Sequence, residues 1–241
     1  MNATTANYTA EIAAFAANAT VSTIPTAFLT LLSIYFLDTF AAMLAGSVQP
    51  VYHSAAKAIR FTHGLGSPDA SYTALDGMNT SLSGQMFLMG LAAGDFEFEH
   101  TIEGATPASS VFPALLSLSA AYNKTGEEFL AAMAVGYELA TRIAAATTLE
   151  VEDVLGFHPA GLGSPAAAAA VGTLLQWDAD TIASGMGIAV NSASGLVDYL
   201  STGADTRNTH AARAGQLGVE AALMAKAGVQ GSKDIFENPE G

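Results

Sequence analysis

Ionisable side chains concentrate in one segment, residues 94–113, which reads GDFEFEHTIEGATPASSVFP. Only 12% of the chain is charged, yet five of these residues fall within nine positions: Asp95, Glu97, Glu99, His100 and Glu103. Phe96 and Phe98 alternate with carboxylates, which predicts buried rings and carboxylates that line a cleft. Carboxylates held against aromatic rings have raised pKa values and can act as general acids or bases. The alternative is an acidic surface loop.

A second candidate for chemistry is His158, in the segment GFHPAGLGSP. Pro159 and two glycines follow it and open an alanine-rich helix, so the imidazole is expected beside a helix N-terminus. The unpaired N–H groups there favour anions and lower the pKa of a nearby imidazole. The position fits a general acid or base, or a carboxylate ligand. The alternative is an ordinary capping or core histidine.

The third candidate segment, residues 203–216, reads GADTRNTHAARAGQ. Arg207 and His210 are three residues apart at the start of a long helix, so both can project from its first turn toward one ligand. The planar guanidinium of arginine binds a carboxylate through two hydrogen bonds. The alternative for Arg207 is a surface ion pair with Asp205.

A helical core is expected to hold these three segments. The chain has 241 residues, of which 51% are hydrophobic, enough to bury a sizeable core. Alanine runs recur, and alternation of β-branched residues is nearly absent. We predict an all-α multi-helix bundle in one domain, residues 1–241, with helices near 8–18, 25–46, 50–62, 81–95, 110–122, 126–147, 161–175, 179–191 and 208–227.

Two of these helices carry specific expectations. Thr125 and Glu128 form a T-x-x-E capping box before the helix at 126–147. Its apolar stripe should face the core, and consists of Phe129, Met133, Gly136, Tyr137 and Ala140.

The segment 26–46 has the length of a membrane span, but Asp38 lies in its middle. Because a carboxylate is costly in lipid, we expect a buried helix with Asp38 hydrogen-bonded inside the bundle, and no membrane association.

Composition limits the partners. The net charge is −14 with only eight Lys and Arg residues, so a nucleic-acid partner is not expected. The absence of Cys excludes disulfides, thiolate nucleophiles and Cys-ligated metals. The N-terminal segment has neither a basic region followed by an apolar stretch nor an arginine-rich amphipathic pattern, so a cytoplasmic protein is expected.

Four collinear blocks, covering nearly the whole chain, resemble the MmgE/PrpD family. FLDTFAAMLAGS is similar to the family's LLDTLGCALAGS, and the stretch from EFEHT to ATRI is similar to its DFDDTH, HPS and TGEEF block. GFHPAGLGSPAAAAAVGTLL and TRNTHAARAGQLGVEAALMAKAGVQG resemble two later blocks. The family includes 2-methylcitrate dehydratases, cis-aconitate decarboxylases and an iminodisuccinate epimerase. The resemblance implies a helical domain, a homodimer and chemistry without cofactor or metal.

The resemblance also implies roles for individual residues. Those expected to be catalytic are Glu97, His100, Thr101 and His158, and those expected to bind substrate are Thr106, Arg207 and His210. Several depart from the family pattern. Glu97 and His100 stand at Asp positions, Thr106 stands at the His of HPS, and Arg207 stands at a Lys of the decarboxylase-like members. Family members continue into a smaller α+β lid domain with catalytic Lys and His residues, so this sequence, through Gly241, is expected to supply only the helical part of the site.

Three functions follow as hypotheses. The first is a cofactor-independent lyase or isomerase of a small polycarboxylate or related enolisable acid, in which Arg207 holds a carboxylate and His158 moves a proton. The second is a non-catalytic subunit that partners a lid-bearing homologue. The third is an isomerase or cyclase for a larger, less charged substrate, such as an intermediate of a biosynthetic pathway.

Overall fold

The computed structural model describes residues 7–64, 71–153 and 156–240. The expected all-α bundle is confirmed: these residues form ten α-helices and a single hairpin, β1 (Tyr72–Thr73) with β2 (Asn79–Thr80). The helices are α1 (Tyr8–Asn18), α2 (Thr26–Gly46), α3 (Pro50–Ile59), α4 (Leu82–Gly94), α5 (Pro107–Ala121), α6 (Gly126–Asp153), α7 (Gly163–Leu174), α8 (Ala179–Val190), α9 (Tyr199–Thr202) and α10 (Arg207–Lys226).

The centre of the bundle is α7, whose residues are all buried. α5, α6, α8 and α10 pack around it, and α10 also packs against α4. Small residues let these helices approach closely: a Cβ atom at Gly215 would collide with the backbone carbonyl of Ser110. The contact seats the first half of α10 against the start of α5, which is where the candidate chemistry lies.

The sequence-based reading of α6 is confirmed. Thr125 donates its backbone N–H to Glu128 Oε2 at 2.8 Å, and Glu128 donates its N–H to Thr125 Oγ1 at 3.2 Å. This reciprocal pair satisfies donors that a helix start leaves unpaired. The apolar stripe faces the core, because Phe129, Met133 and Tyr137 are each 5% exposed or less.

Two helix starts differ from expectation near the candidate site. α5 begins at Pro107 rather than near 110, because a proline at the first helical position fits the backbone angle there and lacks only an N–H that would be unpaired. A 3₁₀ turn, Pro159–Leu162, precedes α7. The short helix α9 was not expected. These differences set the positions of Thr106 and His158 relative to α10.

The expectation for α2 is wrong in one respect. The helix spans Thr26–Gly46 as predicted, but only 22% of its most apolar window is buried. The Asp38 side chain is 55% exposed rather than inside the bundle. By length and composition alone, α2 and residues 126–147 could each cross a membrane, but the second is 61% buried, as in a core helix. The outer face of α2 therefore presents apolar side chains to solvent.

Candidate functional site

The loop between α4 and α5 holds much of the site. It leaves α4 after Gly94 and enters α5 at Pro107. Glu97 has a backbone φ of +54° and Glu103 one of +49°, in the left-handed region that non-glycine residues rarely adopt. Each such residue costs about 1–3 kcal/mol unless its surroundings hold it. The loop is therefore held in an unfavourable conformation by contacts at its own side chains.

Arg207, the first residue of α10, contacts this segment at Gly94, Glu97 and Glu99. Its Nη1 donates to the carbonyl of Gly94 at 2.5 Å, and its Nη2 lies 3.4 Å from Glu99 Oε1. Its Nε lies 3.0 Å from Glu97 Oε1. The guanidinium is thus shared by one carbonyl and two carboxylates. Arg207 does not pair with Asp205, which was the alternative interpretation of the sequence.

Glu99 is the buried partner of this arginine. Its side chain is only 2% exposed, and its Oε2 atom has no hydrogen-bond partner among the described residues. Burial raises the pKa of the Glu99 carboxyl, and the nearby Arg207 charge acts in the opposite direction. A raised pKa for carboxylates in this segment was expected, but the cause is desolvation rather than contact with the phenylalanine rings.

The expected burial pattern of the segment is wrong. Phe98 is 73% exposed and Phe96 is 37% exposed, and their rings stack on each other with centroids 5.6 Å apart. Glu99 is buried instead. The alternation fails because this segment is not a strand: the positive φ at Glu97 turns the chain, so that Glu99 faces Arg207 while both rings face outward.

His158 lies beside the helix start, as predicted. Its Nδ1 accepts a hydrogen bond from the Ala160 backbone N–H at 3.2 Å, which caps the 3₁₀ turn before α7. Burial and the neighbouring His210 and Arg207 lower the pKa of His158 to about 4. The imidazole is therefore neutral at pH 7. Because Nδ1 accepts, the remaining proton is on Nε2.

His210 and Tyr199 complete an aromatic cluster around His158. The ring centroids are 5.6 Å apart for His158 and His210, 5.6 Å for His158 and Tyr199, and 5.9 Å for Tyr199 and His210. Burial lowers the pKa of His210, although the Asp198 carboxylate acts in the opposite direction. The backbone of Gly195 packs on the His210 ring so closely that a Cβ atom would lie 3.0 Å from it.

The space between these side chains is small. About 10 Å³ remains at the centre, room for one water molecule. Thr106, Glu99, His158 and Arg207 are among the lining residues. Asp95 lies at the edge, where its Oδ1 accepts from Asn208 Nδ2 at 2.9 Å. We call the set formed by Glu97, Glu99, His158, Arg207 and His210 the Arg207 cluster.

His100 and Thr101 line a different cavity. With Tyr35 and Tyr137 they border a space of about 260 Å³ between α2 and α6. His100 Nε2 lies 3.0 Å from Asp38 Oδ2, and its ring stacks on Tyr35 with centroids 3.8 Å apart. Burial lowers the pKa of His100, while Asp38 acts in the opposite direction. We call His100, Asp38 and Tyr35 the His100 pair site.

The structure thus divides the residues expected to act together. Glu97, Thr106, His158, Arg207 and His210 lie in or beside the Arg207 cluster, whereas His100 and Thr101 lie at the second cavity. Their roles remain predictions. Within residues 7–64, 71–153 and 156–240, no group of three or more His, Asp or Glu side chains is arranged to hold a metal ion.

Residues 10–241 match the model of the MmgE/PrpD N-terminal domain. The chain belongs to the MmgE/PrpD family. It is 31% identical to the cis-aconitate decarboxylase-like protein oryM of Aspergillus oryzae, over 98% of this chain and 50% of that protein. It is 29% identical to the cis-aconitate decarboxylase of Aspergillus terreus (97% and 48% covered) and 27% identical to that of Homo sapiens (83% and 42% covered). The chain spans about half the length of these curated relatives.

Some residues of this MmgE/PrpD site were missed in the sequence. Tyr199 lies on a four-residue helix, which is too short to be predicted from hydrophobic periodicity. Its position beside His158 depends on the fold of residues 191–203. Glu99 lies in the acidic segment but is not among the site residues predicted from the sequence. Arg207 could have pointed to Glu99, because a buried cation requires a buried anion. Several acidic residues were candidates for that partner, so the sequence did not single out Glu99.

Proposed function

We propose that this chain supplies the helical part of a cofactor-independent lyase site that decarboxylates a small polycarboxylate of the cis-aconitate type. The observation that carries the proposal is that His158, a neutral imidazole with its proton on Nε2, and the Arg207 side chain line the same small cavity. The similarity to proteins named cis-aconitate decarboxylase supports the reaction class. The chain spans about half the length of these relatives, so the decarboxylation of a complete enzyme is proposed here and not only the role of its helical part.

The roles follow from charge. In a decarboxylation the bond to the departing carboxylate breaks, CO₂ leaves, and the electron pair spreads toward a retained carboxylate before a proton from water adds to carbon. Arg207 would bind the retained carboxylate, where negative charge increases. His158 would donate its Nε2–H to the same developing charge. A neutral imidazole suits this task, since its accepting nitrogen is already used by Ala160.

The test is direct. The chain is incubated with cis-aconitate together with the lid part that the proposal requires to complete the site, and CO₂ release and the decarboxylated product are followed by NMR. We expect turnover that falls by about tenfold to a thousandfold in His158→Asn, which keeps an acceptor for Ala160 but removes the Nε2 proton donor. The control is Thr209→Ser, a conservative change at a half-buried position of α10 that keeps the hydroxyl donor to the Thr206 carbonyl. With the lid part present, absence of turnover for the unmodified protein, or full turnover in His158→Asn, would contradict the proposal.

A second candidate is favoured by one observation, the acidity around Arg207. Glu97 and Glu99 contact a single guanidinium, Asp95 lies near it, and both nearby imidazoles have lowered pKa values. This charge balance opposes binding of several carboxylates at once. It supports an isomerase or cyclase for a larger, less charged acid, and such substrates belong in the same assay. A non-catalytic subunit would bind acids without converting any of them.

We also propose a homodimer. The outer face of α2 leaves several large apolar side chains in solvent, including Ile34 (57% exposed), Leu37 (69%) and Leu44 (50%). Pairing of subunits is a common way to cover such a surface. Light scattering at micromolar concentration is expected to give a dimer that Leu37→Glu weakens. A monomer in both would contradict the proposal, and a requirement for detergent would indicate a membrane surface instead.

A further inference from the structure

The three polar contacts of Arg207 are not equivalent. Nη1 and Nη2 are held by the Gly94 carbonyl and by Glu99, both in the interior. Nε is held by Glu97, whose side chain is 66% exposed. Two of the three guanidinium nitrogens are therefore held from inside the protein. The third is covered from the solvent side by a carboxylate that can move without exposing a buried charge.

Of the three Arg207 nitrogens, only Nε has a partner that reaches it from the solvent side, Glu97. The remaining space beside Glu99, His158 and Arg207 is about 10 Å³, which holds one water molecule but no carboxylic acid. Glu99 cannot leave without abandoning a buried ion pair. Glu97 is the exposed partner, so it can move aside and make room. The carboxylate that it places at Arg207 Nε is the same chemical group that a substrate would bring.

We propose that Glu97 is an internal competitor, which occupies the carboxylate-binding edge of Arg207 and is displaced there by one carboxylate of an organic acid. The inference rests on the proposed function only in taking Arg207 as the carboxylate ligand. It assigns Glu97 a role in selectivity: the site admits acids that bind Arg207 well enough to replace it.

The backbone at Glu97 makes this exchange easier. Its φ of +54° is unfavourable for a residue with a Cβ atom, and the ion pair with Arg207 is among the contacts that hold it. When a ligand takes the Arg207 edge, Glu97 can relax toward an ordinary conformation. The strain of the loop and the partly exposed ion pair oppose each other, so the closed and open arrangements are close in free energy.

A binding measurement tests the proposal without requiring turnover. The probe is succinate, a saturated dicarboxylate, titrated into the intact chain while the Arg207 Nε–H signal is followed by ¹⁵N NMR. Glu97→Gln should tighten succinate binding by about fivefold, because the open fraction of the protein multiplies the apparent affinity. The matched control is Asp205→Asn, which removes one nearby negative charge that does not contact Arg207, and should change the affinity by less than about twofold.

A double-mutant comparison separates competition from general electrostatics. In an Arg207→Gln background, Glu97→Gln should give no gain in affinity, because the contested edge no longer exists. Equal gains in Glu97→Gln and Asp205→Asn, a gain that survives Arg207→Gln, or no succinate binding in Glu97→Gln would each overturn the proposal. Failure of the lyase assay with a fivefold gain in Glu97→Gln would leave the competitor in place and reject only the proposed reaction.

Discussion

Glu99 and His100 are neighbours in sequence, yet their side chains belong to two different parts of the molecule. Glu99 turns inward and pairs with Arg207 from α10. His100 turns toward α2, pairs with Asp38 and stacks on Tyr35. Each belongs to a pair that contains one carboxylate, but the Glu99 carboxylate is 2% exposed whereas that of Asp38 is 55% exposed. The Arg207 cluster and the His100 pair site therefore differ in how much water reaches them.

This difference decides what each pair contributes. A buried carboxylate left without its cation keeps a large desolvation cost, whereas an exposed one is solvated as soon as its partner is removed. The Arg207 cluster is thus expected to matter for both folding and ligand binding. The His100 pair site is expected to contribute less to both folding and ligand binding. The predictions below test this contrast, beginning with the largest expected effect.

The largest effect is expected for Arg207→Gln. The change leaves Glu99 buried beside a neutral amide, so the free energy of unfolding should fall by about 3 kcal/mol. Chemical denaturation at pH 7 measures it. The double variant Glu99→Gln with Arg207→Gln removes the unpaired charge and should recover most of the loss. A single variant as stable as the unmodified protein would mean that Glu99 is not an isolated buried charge.

Much of the helical scaffold could be predicted from the sequence, because its signals are local. Thr125, Glu128 and an apolar stripe predict α6, and the structure confirms all three. α10 begins at Arg207, one residue before its expected start at 208. The position of His158 beside a helix start also follows from local sequence, since Pro159 and the alanine run mark that start.

The partners of charged residues could not be predicted in the same way. The cost of a carboxylate in lipid predicts a buried helix around Asp38, but α2 lies at the edge of the bundle with one face in solvent. The partner of Arg207 depends on the turn at Glu97, where a positive φ reverses the expected alternation. Both outcomes depend on long-range packing, which a periodic pattern does not record.

A smaller effect is expected for the pH dependence of the Arg207 cluster. Burial holds the pKa of His158 near 4, below its ordinary value of 6.5. The unfolded chain therefore binds a proton more readily than the folded chain between about pH 6.5 and 4, so the contribution of neutral His158 is present above this window and is lost as pH falls through it. At pH 5.5 the loss should be about 1 kcal/mol, since partial exposure weakens the shift.

His158→Asn makes this pH prediction specific. The asparagine can accept the Ala160 N–H in place of Nδ1, but it does not titrate. Thermal unfolding should show that the decrease in Tm between pH 7.5 and 5.5 is smaller in the variant by about 2–4 °C. His100 and His210 keep their contributions in both proteins, as does Glu99, whose raised pKa acts with the opposite sign. Identical pH profiles would show that His158 is not desolvated in the fold.

The smallest effect is expected for Asp38→Asn in the His100 pair site. The carboxylate is more than half exposed, so its loss should change the free energy of unfolding by less than about 1 kcal/mol. The pKa of His100, already lowered by burial, should fall further, because the Asp38 charge that opposes the shift is gone. NMR titration of the His100 ring measures this directly. Succinate binding at Arg207 should stay unchanged, since Asp38 does not reach the Arg207 cluster. A change in succinate affinity as large as that of Glu97→Gln would show that the two regions act as one site, and the separation seen between Glu99 and His100 would then not hold in function.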